Sequence, residues 1–552
     1  MRCGLLASVC LVCWAATPVV FRDGFDTDDI ARKPAYSVVY DAHNPARRIQ
    51  NPSIIEGKDG ALVAAWSDKG PAGDNDISDV IFASSSADAG KTWSTPVQAC
   101  PPSSINPTFL RARNGDVVLF FNKNHSRLQD DTSIAFRRSS DNGRTWSETT
   151  EVDIGARVAI LVHNGLVLPG GEWLIAFQYD RSGQGEPFNL SKIDFVAAVA
   201  ISKDEGKTWR RYGAIEIPNL EHAPNVTSFA VEPAVYPTGP HSLGMIIRTR
   251  NGYLYQSDSS DNGHTWSPAK RLPFSNDNSK PAALTLNDGH VMMFWNDMSM
   301  IGGSLRFPLM ASLSIDRGAT WPYTITMEDD QMQLDYPTAI ETHGAVKMVY
   351  GHGLQQVRLI NLKESDFRRR WTLINISSAW RIQNDVLQFS ADKDTAYPID
   401  WLRWSKAVAF LPDKPAQYTL EADIRFDATA AEDGAIAIFP AYRDEANWIA
   451  WVWKPATGKI GFERQEHFGS LVRPGYSRNI SENFFETLQP DLNKWYRVRI
   501  MVFADHMKWT LLDHKTERSL FSVDNPIAAY GSFVALGART VKASFDNISL
   551  AR

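Results

Sequence analysis

One octapeptide recurs five times along the chain, and it restricts the possible folds more than any other feature of the sequence. Its pattern is Ser-x-Asp-x-Gly-x-Thr-Trp, and the copies begin at positions 86, 139, 202, 259 and 314. Consecutive copies are therefore 53 to 63 residues apart. Self-similarity at a nearly fixed period is the mark of a repeat architecture, in which each repeat is one supersecondary unit.

The octapeptide has the chemistry of a tight turn between two strands. An aspartate accepts hydrogen bonds from nearby backbone N–H groups, and glycine adopts a positive φ without strain. Apolar, β-rich runs such as DVIFASS precede the copies, and further runs such as GALVAAW lie between them. Each unit thus contains about four short strands, which predicts one blade of a β-propeller. We expect the octapeptides themselves to be structural.

Composition agrees with an all-β fold and excludes one class of partner. The chain has 18 Trp, 27 Phe and 16 Tyr together with 35 Gly and 30 Pro, which favours strands joined by many turns. The net charge of −6 gives no broad basic surface, so we expect no nucleic-acid partner.

The first 16 residues, MRCGLLASVCLVCWAA, have the order of a secretory signal: a basic residue, an apolar run and small residues. The run is too short to span a membrane, which takes about 20 apolar residues. Three of the four cysteines lie in this segment, and Cys100 is the fourth. The sequence therefore predicts a secreted or periplasmic protein without a membrane span.

The octapeptides are similar to Asp-boxes, and the chain resembles the sialidase (neuraminidase) superfamily of six-bladed β-propellers. The resemblance extends from about residue 40 to about 366 and includes the segments RIQNPSIIEGKDGALVAAW, VEPAVYPTG and LDYPTAIETHGAVKMVYGHG. It implies a propeller over residues 35–367 and an exo-α-sialidase-like glycoside hydrolase. The partner would be a glycan or glycoconjugate with a terminal acidic sugar.

The same resemblance implies the catalytic groups. Tyr336 stands at the position of the family's nucleophilic tyrosine, and Glu232 at that of the carboxylate that activates it. The chemistry requires such a pair, because the substrate carries a carboxylate on its anomeric carbon and would repel an anionic nucleophile. A neutral phenol avoids this repulsion, and an adjacent carboxylate can take its proton.

Arginines would hold the sugar carboxylate in bidentate fashion. Arg48, Arg248 and Arg306 resemble the three arginines of the family, and Arg250 faces the same side of its strand as Arg248. The residues alone do not separate Arg248 from Arg250. Lys123 and Asn296 follow other inner-strand patterns, and we include them as candidate substrate-binding residues.

The general acid/base is expected near the end of the second strand of the first blade, where Asp68 is the candidate. Asp74, Asp76 and Asp79 are its rivals. The family's Arg-Ile-Pro is here Arg-Ile-Gln-Asn-Pro, with two additional residues before the proline. This departure leaves other acidic sugars open as substrates. No HExxH motif or phosphate-binding glycine loop is present, and we expect no metal ion or other cofactor. The acidic segment GDNDISD is either a solvated loop or a place that could hold Ca²⁺.

Residues 372–552 contain no octapeptide but continue in short alternating strands, which predicts a β-sandwich. Pieces such as YTLEADIRF resemble laminin-G-like or concanavalin-like jelly rolls, many of which bind carbohydrate, and the resemblance implies this role as one option for the domain. Trp448, Trp451 and Trp453 are either core residues or platforms for sugar rings.

The leading hypothesis is an exported exo-glycosidase that releases terminal sialic acid with retention of configuration. One alternative is a glycosidase or lyase for another acidic sugar, of the uronic or ulosonic kind. The other is a non-catalytic glycan-binding propeller. Contact between Tyr336 and Glu232 discriminates among them, because only the retaining hydrolase requires it.

Overall fold

The structure is a computed structural model. It describes residues 19–23, 25, 30–31, 33–70, 76–125, 132–156, 158–182, 194–218, 228–276, 278–297, 306–330, 332–367, 371–374, 379–391, 404–410, 415–444, 447–465, 480–529, 531 and 533–552. The expected signal segment, residues 1–16, lies outside them. The helical structure in these ranges consists of short 3-10 turns, such as Lys58–Gly60 and Glu364–Phe367. The predicted all-β fold class is confirmed.

Six four-stranded antiparallel sheets form the blades of a β-propeller. From the innermost strand outward, blade 1 is Arg48–Glu56, Leu62–Lys69, Val80–Ser86 and Val97–Gln98; blade 2 is Ser104–Arg111, Val117–Asn124, Thr132–Ser139 and Thr150–Val152; blade 3 is Leu166–Val167, Trp173–Asp180, Phe195–Ser202 and Arg210–Ile215; blade 4 is Val231–Pro237, Leu243–Arg248, Tyr253–Ser259 and Lys270–Ser275; blade 5 is Ala282–Thr285, Val291–Asn296, Leu309–Ser314 and Tyr323–Glu328; blade 6 is Leu334–Thr342, Ala345–His352, Gln356–Leu362 and Tyr36–Asp41.

The last blade takes its outermost strand from the start of the propeller sequence. Tyr36–Asp41 pairs antiparallel with Gln356–Leu362, so the two ends of the propeller are joined by a β-ladder. This arrangement explains why six blades carry five octapeptides. The octapeptide joins the third strand of a blade to the fourth, and in blade 6 the chain does not make that connection.

Each octapeptide is closed by the same hydrogen bonds. In the third copy, the Thr208 N–H and hydroxyl donate to the two carboxylate oxygens of Asp204 at 2.8 and 2.6 Å. The Gly206 N–H donates to the Ser202 hydroxyl at 2.8 Å, and Gly206 has a φ of 89°. The threonine hydroxyl bond recurs at 2.5 to 2.6 Å in all five copies. The predicted structural role of the octapeptides is confirmed.

Two eight-stranded sheets follow the propeller and pack face to face as a β-sandwich. The first contains Trp380–Gln383, Val386–Ser390, Lys542–Ala551, Tyr418–Phe426, Trp495–Val502, Met507–Asp513 and Ser519–Asn525, with Val19–Asp23 paired to Lys542–Ala551. The second contains Ile30–Ala31, Trp371–Ile374, Ser405–Phe410, Phe533–Arg539, Ala435–Asp444, Asn447–Lys454, Lys459–Gln465 and Ile480–Thr487. Two strands that precede the propeller therefore belong to the sandwich, which the sequence did not predict.

The second sheet of the sandwich is buried on both of its faces. One face contributes Trp451 and Trp453 to the core between the two sheets. The other face packs Trp448 against apolar residues of blades 4 and 5, such as Tyr236 and Met293. All three tryptophans are at most 2% exposed, so the hypothesis that they stack on sugar rings is wrong. Trp451 and Trp453 are core residues of the sandwich, and Trp448 is a core residue between the sandwich and the propeller.

Candidate functional site

The first strand of a blade starts, and the second strand ends, at the same end of the propeller, because neighbouring strands are antiparallel. Glu232 and Tyr336 lie near the beginning of the first strands of blades 4 and 6. Arg248 and Lys69 are the last residues of second strands. These side chains therefore meet at one end of the molecule, and the octapeptides lie at the opposite end.

The innermost strands share a bulge that directs side chains into the axis. In blades 1, 2, 4 and 6 the ladder slips between the first two strands. The bulge residue has a positive φ in each case: Asn51, Asn106, Glu232 and Tyr336. A positive φ is uncommon for glutamate and tyrosine, and such strain concentrates at functional sites. Proline follows all four residues, a signal in the sequence that could have located the bulges.

Tyr336 and Glu232 are in direct contact. The Tyr336 hydroxyl donates to one carboxylate oxygen of Glu232 at 3.0 Å. The other oxygen accepts an ion-paired hydrogen bond from Arg248. The Glu232 N–H donates to the Gln178 side-chain oxygen at 2.6 Å, which holds the bulge in place. The structure thus brings together Tyr336, Glu232 and Arg248, three of the candidate residues from blades 4 and 6.

Burial and the Glu232 carboxylate raise the pKa of the Tyr336 hydroxyl, while Arg306, Arg248 and Lys69 oppose that rise. The phenol is therefore protonated at neutral pH and needs a base in contact to become a nucleophile. Glu232 occupies that position. Three surrounding cations would stabilise the negative charge that develops on the tyrosine oxygen.

Arg306 contacts Tyr336, and Arg48 lies at the start of the first strand of blade 1, at the same end of the propeller. The Arg306 guanidinium lies over the Tyr336 ring, with 5.0 Å from its carbon to the ring centroid. Burial alone would lower the pKa of Arg306, but Tyr336, Asp335 and Glu232 together raise it. Arg306 Nη1 and Arg48 Nε have no hydrogen-bond partner within the described ranges. Buried, positively charged donors without a protein acceptor are suited to bind an anionic ligand.

The structure separates Arg248 from Arg250. Arg248 binds Glu232, and its Nε donates to Asn278 at 2.8 Å. The Arg250 guanidinium instead lies over the Phe229 ring at 4.3 Å. Of the two candidates, Arg248 is the one in contact with the Tyr336–Glu232 pair.

The two other candidate substrate-binding residues, Lys123 and Asn296, have contacts different from those of the arginines. Lys123 pairs with Glu151, on the outermost strand of its blade, at 2.8 Å. Asn296 is fully buried, and its amide donates to the carbonyls of Arg306 and Leu334 at 3.0 Å each. We therefore expect Asn296 to position Arg306 and the strand of Tyr336, and we expect Lys123 to lie away from a ligand held by the arginines.

Asp68 is bound by an arginine of its own blade. Its carboxylate accepts a hydrogen bond from Arg47 Nε. Among its rivals, Asp79 is fully buried and accepts the Gly70 N–H at 2.8 Å, and Asp76 accepts the Ser78 N–H at 2.9 Å. Asp74 lies outside the described residues. For Asp68 to donate a proton to a leaving group, the ligand must compete with Arg47.

The sequence missed two buried charged residues beside Tyr336. Asp335 is 1% exposed; its Oδ2 accepts from Gln50 at 2.8 Å, and its Oδ1 has no partner among the residues described. Lys280 is also 1% exposed and donates to the Pro337 carbonyl at 2.7 Å. Buried charges require partners, and here the partners come from blades that are distant in sequence.

One carboxylate–histidine group lies beside the strand that leads to Tyr336. Glu328, Asp330 and His352 place their ligand-type atoms within 4.8 Å of one another, as do Asp288, His290 and Glu364 elsewhere. Glu328 is already paired with the cations Lys33 and Arg358. These contacts tie the segment before the propeller to blades 5 and 6, so we assign the first group a structural role.

Comparisons with known proteins agree with the fold. Residues 60–348 match the model of the BNR repeat-like domain, and the chain belongs to this family of sialidase-like Asp-box propellers. No curated protein matches the chain. Within the part of the chain that the structure describes, no helix is long and apolar enough to cross a membrane.

Three solved structures illustrate the likeness. The Hadza microbial sialidase Hz136 is 18% identical with a TM-score of 0.51, over 60% of this chain and 69% of that one. The NanB sialidase of Streptococcus pneumoniae is 13% identical with a TM-score of 0.49, over 60% and 71%. A mutant Trypanosoma rangeli sialidase displaying trans-sialidase activity is 12% identical with a TM-score of 0.47, over 94% and 96%. The likeness to the first of these concerns the fold alone.

Proposed function

We propose that the protein is an exported exo-glycosidase that releases terminal sialic acid from glycans or glycoconjugates with retention of configuration. The observation that carries this proposal is the 3.0 Å contact between the Tyr336 hydroxyl and Glu232. A phenol paired with a carboxylate and ringed by arginines suits a substrate whose anomeric carbon bears a negative charge.

In the first step, Arg48, Arg248 and Arg306 hold the sugar carboxylate. The Tyr336 oxygen attacks the anomeric carbon while its proton passes to Glu232. The bond from the anomeric carbon to the leaving oxygen breaks, and Asp68 gives that oxygen a proton. In the second step, water that is deprotonated by Asp68 attacks the tyrosyl-bound carbon, and Glu232 returns the proton to Tyr336. Two displacements at one carbon retain its configuration.

The contact favours hydrolysis over the alternatives. A glycan-binding propeller needs the arginines but gains nothing from a base placed on a tyrosine hydroxyl. A lyase needs a base aimed at a sugar carbon–hydrogen bond rather than at a phenol. Asp68, the proposed acid for the leaving group, is paired with Arg47. Because this pairing is compatible with other sugars as well, a related acidic sugar stays as the alternative substrate.

Hydrolysis of a fluorogenic α-sialoside tests the proposal. The purified protein, residues 17–552, is compared with Tyr336→Phe and with Tyr323→Phe, a tyrosine on the fourth strand of blade 5. We expect turnover by the wild type and by Tyr323→Phe, and loss of turnover in Tyr336→Phe. Absence of turnover in the wild type, with cleavage of uronic-acid or other ulosonic-acid glycosides instead, would replace sialic acid by that sugar.

A further inference from the structure

Lys280 lies directly behind the proposed nucleophile. It precedes the first strand of blade 5 and is 1% exposed. Its ammonium donates to the Pro337 carbonyl at 2.7 Å and to the Thr338 hydroxyl at 3.1 Å. Pro337 and Thr338 are the two residues that follow Tyr336, so Lys280 is bonded to the backbone that carries the tyrosine.

Further hydrogen bonds connect the region around Lys280 and Tyr336 to blade 1 on one side and to blade 5 on the other. The Thr338 hydroxyl donates onward to the Pro52 carbonyl in the bulge of blade 1 at 3.1 Å. On the other side, the Ser279 hydroxyl donates to Asn296, whose amide holds the carbonyls of Arg306 and Leu334. The segment 279–280 is thus linked to the Tyr336 strand before the tyrosine through Asn296, and it contacts that strand directly after the tyrosine through Lys280.

Lys280 is also surrounded by the charged groups of the site. The carboxylates of Glu232 and Asp335 favour its ammonium form, but burial is the larger effect and lowers the pKa of Lys280 to about 7. The His163 side chain also faces it. Burial and the Lys280 charge lower the pKa of His163 to about 3, so that this ring is neutral. Lys280 is therefore a group behind Tyr336 whose charge changes near neutral pH, whereas the His163 ring stays neutral.

We propose that Lys280 is a positioning residue of the active site: it fixes the backbone bulge of Tyr336 and supplies a buried positive charge that the reaction needs. The inference rests on the proposed function, because it concerns the same tyrosine. When the phenol proton passes to Glu232, negative charge moves onto Tyr336. Lys280 interacts with the Glu232 and Asp335 carboxylates beside the tyrosine, and in its protonated form it adds to this group of residues a positive charge that a neutral Lys280 lacks. Activity should therefore fall as the pH rises through the range in which Lys280 loses its proton.

Two substitutions separate the hydrogen bond from the charge. Lys280→Gln keeps a donor for the Pro337 carbonyl without the charge, and Lys280→Met removes both. Lys347→Met is the matched control, since Lys347 is likewise buried, on the second strand of blade 6, with a pKa lowered by burial. We expect kcat to fall about ten- to hundred-fold in Lys280→Met, as for other misplaced catalytic groups, and less in Lys280→Gln.

The pH profile of kcat distinguishes the proposed role of Lys280 from a purely structural one, because a purely structural residue would not change the shape of that profile. The wild type and Lys347→Met should lose activity as the pH rises through about 7, whereas Lys280→Gln should show a lower rate without that alkaline limb. An unchanged limb in Lys280→Gln would overturn the proposal.

Two measurements do not depend on turnover and keep the proposal separate from the proposed function. The unfolded chain holds the lysine proton up to about pH 10, whereas the folded protein releases it near 7. The unfolded state thus binds more protons in between, and wild-type stability should rise with pH relative to Lys280→Gln. The ring-carbon NMR signal of Tyr336, identified by its loss in Tyr336→Phe, should shift near pH 7 only when Lys280 is present.

If the wild type fails to hydrolyse any acidic glycoside but both measurements show the titration, the proposed function fails while the placement of the Lys280 charge stands. If the stability difference is independent of pH and the Tyr336 signal shows no inflection near 7, Lys280 does not titrate beside Tyr336, and the inference is overturned whatever the substrate.

Discussion

The hydroxyl of Tyr336 lies 3.0 Å from the carboxylate of Glu232, although 104 residues separate them in sequence. Each residue occupies the positive-φ position of a bulge on an innermost strand, one in blade 4 and the other in blade 6. The propeller repeats this bulge around its axis, and the repetition brings the two side chains together. The contact is thus a product of the fold and not of local sequence.

Glu232→Gln removes the base but preserves the size and shape of the side chain. We expect kcat to fall about 10²- to 10⁴-fold, the usual contribution of a positioned general base. The fall should appear at the pH optimum in steady-state assays. Glu205→Gln is the control. Glu205 is the fourth residue of the third octapeptide, at the opposite end of the propeller, and this variant should retain wild-type rates. Equal rates in wild type and Glu232→Gln would show that Tyr336 does not rely on Glu232.

Arg306→Met removes a guanidinium beside Tyr336 that has a buried nitrogen without a hydrogen-bond partner among the described residues. Hydrogen bonds to charged groups contribute about 1.5–3 kcal/mol, so KM should rise about ten- to hundred-fold. Arg250→Met should raise KM much less, because Arg250 lies over Phe229 and Arg248 makes the contact with Glu232. The assay is the KM of each variant for one acidic glycoside. Equal effects at 250 and 306 would contradict this assignment of the arginines.

Asp204→Asn tests the octapeptide turn and its pH dependence. Hydrogen bonds from Thr208 lower the pKa of Asp204 to about 2. In the unfolded chain its pKa is near 4, so the folded state gains stability from the carboxylate above pH 4 and loses it as the pH falls toward 2. Asp204→Asn should therefore melt below the wild type at pH 6, and the difference should shrink in acid. Differential scanning calorimetry at several pH values measures it, and a constant difference would refute the explanation.

Trp448→Ala tests the contact between the domains. Trp448 is 2% exposed and packs against blades 4 and 5, so its truncation should cost about 3–5 kcal/mol of unfolding free energy. Chemical denaturation provides the measurement. Trp495→Ala, at a half-buried tryptophan under Arg425, should cost less. Loss of glycan binding without loss of stability in Trp448→Ala would restore the sugar-platform hypothesis.

The sequence predicted the propeller because the same turn recurs five times with the same five residues, Ser, Asp, Gly, Thr and Trp. It also pointed to Tyr336, Glu232, Arg248 and Arg306, since their positions within the repeat resemble those of a known family. Arg248 and Arg250 could not be separated, because alternate residues of a strand face the same side. The contacts with Glu232 and Phe229 separate them in the structure.

Asp335 and Lys280 could not be found in the same way. A charged residue in a sequence gives no sign of whether it is buried, and their partners lie in other blades. The hypothesis that Trp448, Trp451 and Trp453 stack on sugar rings was wrong for a related reason. An alternating pattern shows that a strand has two faces, but not that a second domain covers the outer one.

Trapping the covalent intermediate tests the central claim most directly. The wild type and Tyr336→Phe are incubated with a 2,3-difluorinated sialic acid, whose fluorine atoms slow breakdown of a glycosyl-enzyme, and intact masses and peptide maps are recorded. The account predicts one sugar adduct on Tyr336 in the wild type and none in Tyr336→Phe. An adduct on another residue, or sialoside hydrolysis without any adduct and with inversion of configuration, would contradict it.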